Sequence, residues 1–127
     1  MIDRVLRILL VDDDDDLLMM LQHSLLADGH IVTTAGDGAQ ALKLIELEEF
    51  DLMITDIIMP EKEGIETIME LRARHFSIPV IAMSGGGQVA ASQYLAIAKK
   101  LGAKEVLNKP FGLSELRSAI NRVLENE

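Results

Sequence analysis

The sequence contains no cysteine, which excludes disulfides, thiolate metal ligands and thiol nucleophiles and suits a reducing compartment. Whatever site it carries must rely on oxygen chemistry. Positive charge is scarce: 12 basic residues against 21 acidic ones give a net charge of −9, and a field of that sign disfavours a broad footprint on a nucleic-acid backbone. Direct nucleic-acid binding is not expected. No run of about eighteen apolar residues occurs, so no membrane insertion is expected either. The apolar part of the opening MIDRVLRILLVDD is too short for a signal core, and acids follow where a small-residue cleavage site belongs, so the expected location is cytoplasmic. Serine- or proline-rich linkers and internal repeats are also missing. With 127 residues, 49% of them hydrophobic, the chain can close one ordinary core but not two. A single domain over residues 1–127 is the expectation.

What is present is an alternation of two periodicities. Short apolar runs suit buried strands at Ile8 to Val11, Ile31 to Thr34, Leu52 to Ile54, Pro79 to Met83, and Val106 with Leu107, the last being the shortest. Between and after them, apolar residues three and four apart mark helical faces: Leu18/Leu21/Leu25, Ala41/Leu42/Ile45, Ile65/Ile68/Met69, Ala91/Leu95/Ala98/Leu101 and Leu113/Leu116/Ile120/Val123. Strands apolar on both faces need helices on both faces, so the pattern predicts an α/β fold, a doubly wound five-stranded parallel (βα)5 sheet. The seven methionines read as core filler. His23, His30 and His75 are scattered and read as surface or internally satisfied histidines.

In an open α/β sheet, ligands bind beyond the carboxyl ends of the strands, so the residue after each apolar run carries the chemistry. Those residues are Asp12 and Asp13 after RILLV, Asp56 after DLMIT, Ser84 after PVIAM and Lys109 after EVLN. Three carboxylates in one crevice repel one another unless a cation sits among them. All-oxygen ligation suits Mg²⁺, which takes one or two carboxylates and completes its shell with water and phosphate oxygens. The Ser84 hydroxyl and Lys109 ammonium would face a phosphoryl group, and attack by a carboxylate would make an aspartyl phosphate. Asp14, Asp15 and Asp16 read instead as acids at a helix N-terminus.

RILLVDD, DLMITDIIMPEKEG and VLNKPF together resemble, in order and spacing, the segments of response regulator receiver domains of two-component signalling, along essentially the whole chain. The resemblance implies the CheY-like, flavodoxin-like strand order 2-1-3-4-5. It implies Asp56 as phosphoacceptor, Asp13 as direct Mg²⁺ ligand, Asp12 as a ligand through water, and a further metal contact from the Ile58 backbone carbonyl. Ser84 would be the switch hydroxyl, Lys109 the lysine on the acyl phosphate, and Lys109-Pro110 a cis peptide. The implied donor is a sensor histidine kinase or histidine phosphotransfer protein meeting the first helix. The implied output is a downstream protein target meeting the fourth helix through fifth strand. Such a domain is a switch and not an enzyme, catalysing only its own phosphorylation and dephosphorylation.

Two positions depart from the commonest family pattern. Val106 stands where the family usually places a switching aromatic, and the interval from Ser84 to Lys109 is longer than usual by about one helical turn. Gly85, Gly86 and Gly87 within it suggest a loop that phosphorylation orders. Ile58 and Gly86, at positions that tune hydrolysis in the family, offer no polar group to an attacking water, so a long-lived acyl phosphate is expected. The alternative is a docking module of the same fold without phosphorylation. A D-x-D phosphatase lacks room for its cap, and five aspartates in the first loop would repel the phosphate of a flavodoxin-like electron carrier. An EF-hand fails at Leu17 and His23, where glycine and glutamate are required. SGGGQ lacks the G-K-[ST] of a P-loop.

Overall fold

A computed structural model describes residues 4–57, 64–85, 96–100 and 102–125. Strands and helices alternate: β1 (Arg7–Val11), α1 (Asp15–Ala27), β2 (Ile31–Ala35), α2 (Gly38–Leu47), β3 (Leu52–Asp56), α3 (Gly64–Ala73) and β4 (Val80–Gly85). A helical stretch over residues 96–100, α4, precedes β5 (Glu105–Lys109) and α5 (Leu113–Glu125). All strand pairs are parallel, in the order β2-β1-β3-β4-β5. The predicted doubly wound (βα)5 sheet is therefore present, with the order in which strands are added reversing between β1 and β3.

Strand parity divides the core into two layers. Leu9 and Val11 of β1, Met53 of β3 and Val80 and Ala82 of β4 pack with Ala41, Leu42 and Ile45 of α2, Ile68 and Leu71 of α3 and Ala98 of α4. Their neighbours Ile8, Leu10, Leu52, Ile54, Ile81 and Met83 point the other way, against Leu18, Leu21 and Leu25 of α1 and Leu116, Ala119, Ile120 and Val123 of α5. Double coverage explains why β3 is buried at every residue while the edge strands β2 and β5 are partly exposed.

Several expectations need correction. Met69 is 53% exposed, and the inward face of α3 is made by Gly64, Thr67, Ile68 and Leu71; close packing at its start requires small residues there. Leu113 opens α5 and is partly exposed. Of the methionines, Met53 and Met83 are core residues, but Met19, Met20 and Met69 lie on the surface. Gly85 is the last residue of β4, in register with Lys109, not part of a loop. Ala91, Leu95 and Leu101 lie outside the described residues, as do Gly86 and Gly87.

Local signals behaved as their chemistry demands. The Asp14 side chain caps α1 by accepting from the Asp16 and Leu17 N–H groups, satisfying two donors at the start of the helix. His30 is buried and its Nδ1 accepts from the Leu6 N–H at 3.1 Å, while His23 and His75 are exposed. Among the described residues, no helix is long and apolar enough to cross a membrane.

Candidate functional site

The carboxyl ends of β1, β3, β4 and β5 meet on one rim of the sheet, and their terminal residues are polar. Asp12 follows β1 directly and is held by its own backbone, whose N–H donates to the Ala35 carbonyl at 3.2 Å. It is fully buried. Its Oδ1 accepts from the Asp14 N–H at 2.9 Å and its Oδ2 from Lys109 Nζ at 2.7 Å. Asp13 is exposed, and Asp56, the last residue of β3, is buried. One carboxylate oxygen from each of Asp12, Asp13 and Asp56 lies within 4.8 Å of the others.

Lys109 ends β5 and reaches across to this cluster, placing Nζ 3.4 Å from Asp56 Oδ2. Burial opposes its charge, but the hydrogen bond to Asp12 and the charges of Asp56 and Asp12 outweigh that penalty and hold its pKa above the ordinary lysine value. Ser84 is fully buried near the end of β4, and its Oγ has no hydrogen-bond partner among the described residues. An unsatisfied buried hydroxyl is uncommon and costs stability, so it calls for a missing acceptor. The Lys109-Pro110 peptide is cis.

Five of the six residues singled out from the sequence thus lie on this rim. The sixth, Ile58, falls outside the described residues. Asp56, Ser84 and Lys109 are strand residues themselves, not the first residues after strands: the ladders run further than the apolar runs, because pairing does not require apolar side chains at the rim. Two features had little sequence signal. Thr55 Oγ1 donates to the Asp56 carbonyl at 2.8 Å, and Gly64 packs so closely beneath Asp56 that any Cβ would collide with its backbone. The terminal glycine of DLMITDIIMPEKEG was the only hint of the second.

The donor set is all oxygen, with three carboxylates and one ammonium giving the cluster a formal charge of minus two. That composition fits a hard divalent cation such as Mg²⁺. Beside the rim, Asp14, Leu17 and Met20 line a cavity together with Lys109, Pro110 and Phe111.

Residues 8–121 match the response regulator receiver domain family. The chain is 40% identical over 118 residues to the transcriptional regulatory protein CpxR of Klebsiella pneumoniae, covering 93% of this chain and 49% of that protein. It is 31% identical over 118 residues to the alkaline phosphatase synthesis transcriptional regulatory protein PhoP of Bacillus subtilis, covering 93% and 48%. The chain therefore spans about half the length of these curated relatives. Among solved structures, the response regulator protein TrrA of Thermotoga maritima, in complex with Mg²⁺-BeF, matches with a TM-score of 0.79 at 30% identity, covering 92% of this chain and 97% of that one. A match spanning residues 8–121, joined to the 2-1-3-4-5 parallel sheet, means that the chain belongs to the receiver domain family of two-component response regulators.

Proposed function

We propose that Asp56 accepts a phosphoryl group from a phosphohistidine on a sensor histidine kinase or histidine phosphotransfer protein, and that this modification switches contacts with a downstream protein. A carboxylate oxygen of Asp56 attacks phosphorus, the new O–P bond forms as the N–P bond breaks, and the electron pair leaves on the donor imidazole. Lys109, 3.4 Å from Asp56 Oδ2, balances charge on the incoming group. The Ser84 hydroxyl, without a partner among the described residues, donates to a phosphoryl oxygen. Asp12, Asp13 and Asp56, with the Ile58 backbone carbonyl, would hold Mg²⁺. When bound, that ion supplies positive charge that offsets repulsion between the phosphoryl oxygens and the carboxylates.

The observation that carries this reading is the meeting of three carboxylates within 4.8 Å beside one ammonium and one buried hydroxyl that has no partner among the described residues. Residues 1–127 act as one receiver domain, in the cytoplasm, as a switch that modifies only itself. With a net charge of −9, the domain meets proteins and not a nucleic-acid backbone. The test is intact mass after incubation with acetyl phosphate and Mg²⁺. Wild type should gain one phosphoryl group and Asp56→Asn none; an unlabelled wild type would leave a docking module of the same fold.

A further inference from the structure

β2 closes one edge of the sheet, and among the described residues no strand is paired to its outer side. Its sequence, IVTTA, is β-branched at every position but the last and carries no charge, a composition that favours extended pairing. The opposite edge is built differently: β5 holds Glu105, Asn108 and Lys109, and Arg122 of α5 clasps Glu105 at 2.9 Å. Charge along an edge is an ordinary defence against pairing with another strand, and β2 lacks it. The ladder to β1 decides which backbone groups are open. The Ile31 N–H donates to the Leu6 carbonyl and the Ala35 carbonyl accepts from the Asp12 N–H, so Ile31, Thr33 and Ala35 turn toward β1, while Val32 and Thr34 turn their N–H and C=O groups outward. The flanks of this edge are apolar as well. Leu17 and Met20 of α1 line the cavity beside Lys109 and Phe111, and Asp28 at the end of α1 is held by Arg117, so that side of the helix faces α5. Met19 and Leu26, about two turns apart, are exposed on the other side, above β2. Val32 packs into the layer beneath α1, which directs its exposed neighbour Ile31 to the α2 face of the edge.

We propose that β2 is a self-association edge, on which a second copy of this chain pairs antiparallel about a two-fold axis through Thr33. Val32 then exchanges both backbone bonds with the partner's Thr34, and Thr34 with the partner's Val32, so the outward groups of the strand find partners. The same axis sets the two α1 helices antiparallel on one face of the joined sheet. Because α1 lies over β1 and β2, the helices come to about the 10 Å of packed neighbours, and Met19 of each copy meets Leu26 of the other. Self-complementarity selects a second copy as the occupant: a foreign strand gains the backbone bonds, but the two-fold also returns each exposed apolar residue of α1 to an apolar one. The net charge of −9 on each copy opposes approach, so contact is made along an uncharged strip and salt tightens it. None of the acidic cluster takes part, so the association does not depend on phosphorylation of Asp56.

The test is sedimentation equilibrium from micromolar to millimolar concentration, without Mg²⁺ or phosphoryl donor, joined to amide hydrogen exchange at both ends of that range. The expected result is a species of twice the 14.0 kDa monomer mass, favoured by added salt. As it forms, the Val32 and Thr34 amides should gain protection, while that of Thr33, already turned to β1, should not change. Ile31→Glu and Leu26→Glu, both at exposed positions where folding is not at risk, should each weaken association about tenfold or more. Met69→Glu, which adds the same charge at an exposed position on α3, should leave it unaltered. A chain that stays monomeric at millimolar concentration overturns the proposal and leaves the edge to a different protein or to none. A dimer that ignores Ile31→Glu and Leu26→Glu, that yields equally to Met69→Glu, or that protects neither Val32 nor Thr34 is made by another face and overturns it as well.

Discussion

Gly64→Ala is the perturbation whose outcome is most tightly constrained by the structure. A Cβ at this position would lie 2.1 Å from the Asp56 carbonyl oxygen, 2.6 Å from Ile57 Cα and 2.9 Å from the Asp56 carbonyl carbon. All three atoms are backbone, and β3 is paired with β1 on one side and β4 on the other, so no flexible side chain can yield. Overpacking of this kind costs about 1–3 kcal/mol. Moving α3 away also strains the bond from the Gly64 N–H to the Ile57 carbonyl, at 3.1 Å, adding roughly 0.5–1.5 kcal/mol. The expected loss is therefore about 1.5–4.5 kcal/mol. At about 2.1 cal/mol/K of unfolding entropy per residue, the melting temperature should fall by about 6–17 °C. Scanning calorimetry at neutral pH without divalent ions would measure it, with Gly112→Ala as control. There the nearest atom is Glu115 Oε1 at 3.9 Å, and the melting temperature should stay within about 2 °C. Because the displaced backbone carries Asp56, labelling by acetyl phosphate should also slow by about tenfold or more. A Gly64→Ala protein that melts with the control would refute the reasoning.

Three further outcomes follow from the same geometry. Ser84→Ala removes a buried hydroxyl that has no partner among the described residues, so it should leave stability unchanged or raise it by about 1 kcal/mol while slowing acetyl phosphate labelling at least about tenfold; a clear loss of stability in urea, or unaltered labelling, goes against this. The folded pKa of Lys109 stands above the ordinary 10.5, so its stabilising contribution is complete below pH 10.5 and is lost as pH rises through the raised value. The stability difference between wild type and Lys109→Met should therefore be flat from neutral pH to that point and shrink above it, and a difference that widens with alkalinity would contradict the assignment. The Arg72 guanidinium donates to the Phe76, Ile78 and Gly102 carbonyls at 3.0, 3.3 and 3.2 Å, tying the end of α3 to the turn before β5. Arg72→Met should cost about 1–3 kcal/mol, read as a lower urea midpoint with an unchanged slope, and Arg72→Lys should recover little because one ammonium cannot span three acceptors.

What the sequence disclosed and what it concealed divide along one physical line. Residues in β1 and β3 are buried on both faces, so Ile8 to Val11 and Leu52 to Ile54 declared their strands by being continuously apolar. β5 is an edge strand, and Glu105, Asn108 and Lys109 are polar residues in it, so only Val106 and Leu107 stood out. In α3 the apolar count misled, because Gly64 and Thr67 face the core while Met69 faces out. Hydropathy reports which side chains avoid water; it does not report where small size is needed.

The charged cluster was legible for a different reason. Val11 points into one core layer and Leu10 into the other, which fixes the register of β1 and leaves Asp12 as the first residue beyond it. The same parity runs through β3, β4 and β5, so residues far apart in sequence arrive on one rim without any local signal linking them. Spacing could identify the residues that arrive, but not which charges pair after arrival. A motif that includes a phosphoryl group assigns Lys109 to that group. In the structure the ammonium lies nearer the more deeply buried of its two anions, Asp12 at 2.7 Å against Asp56 at 3.4 Å, since that carboxylate has most to lose from lacking a counter-charge. Pairing within such a cluster is decided by relative burial, and relative burial follows from how far each strand's core-facing residues carry its last residue inside.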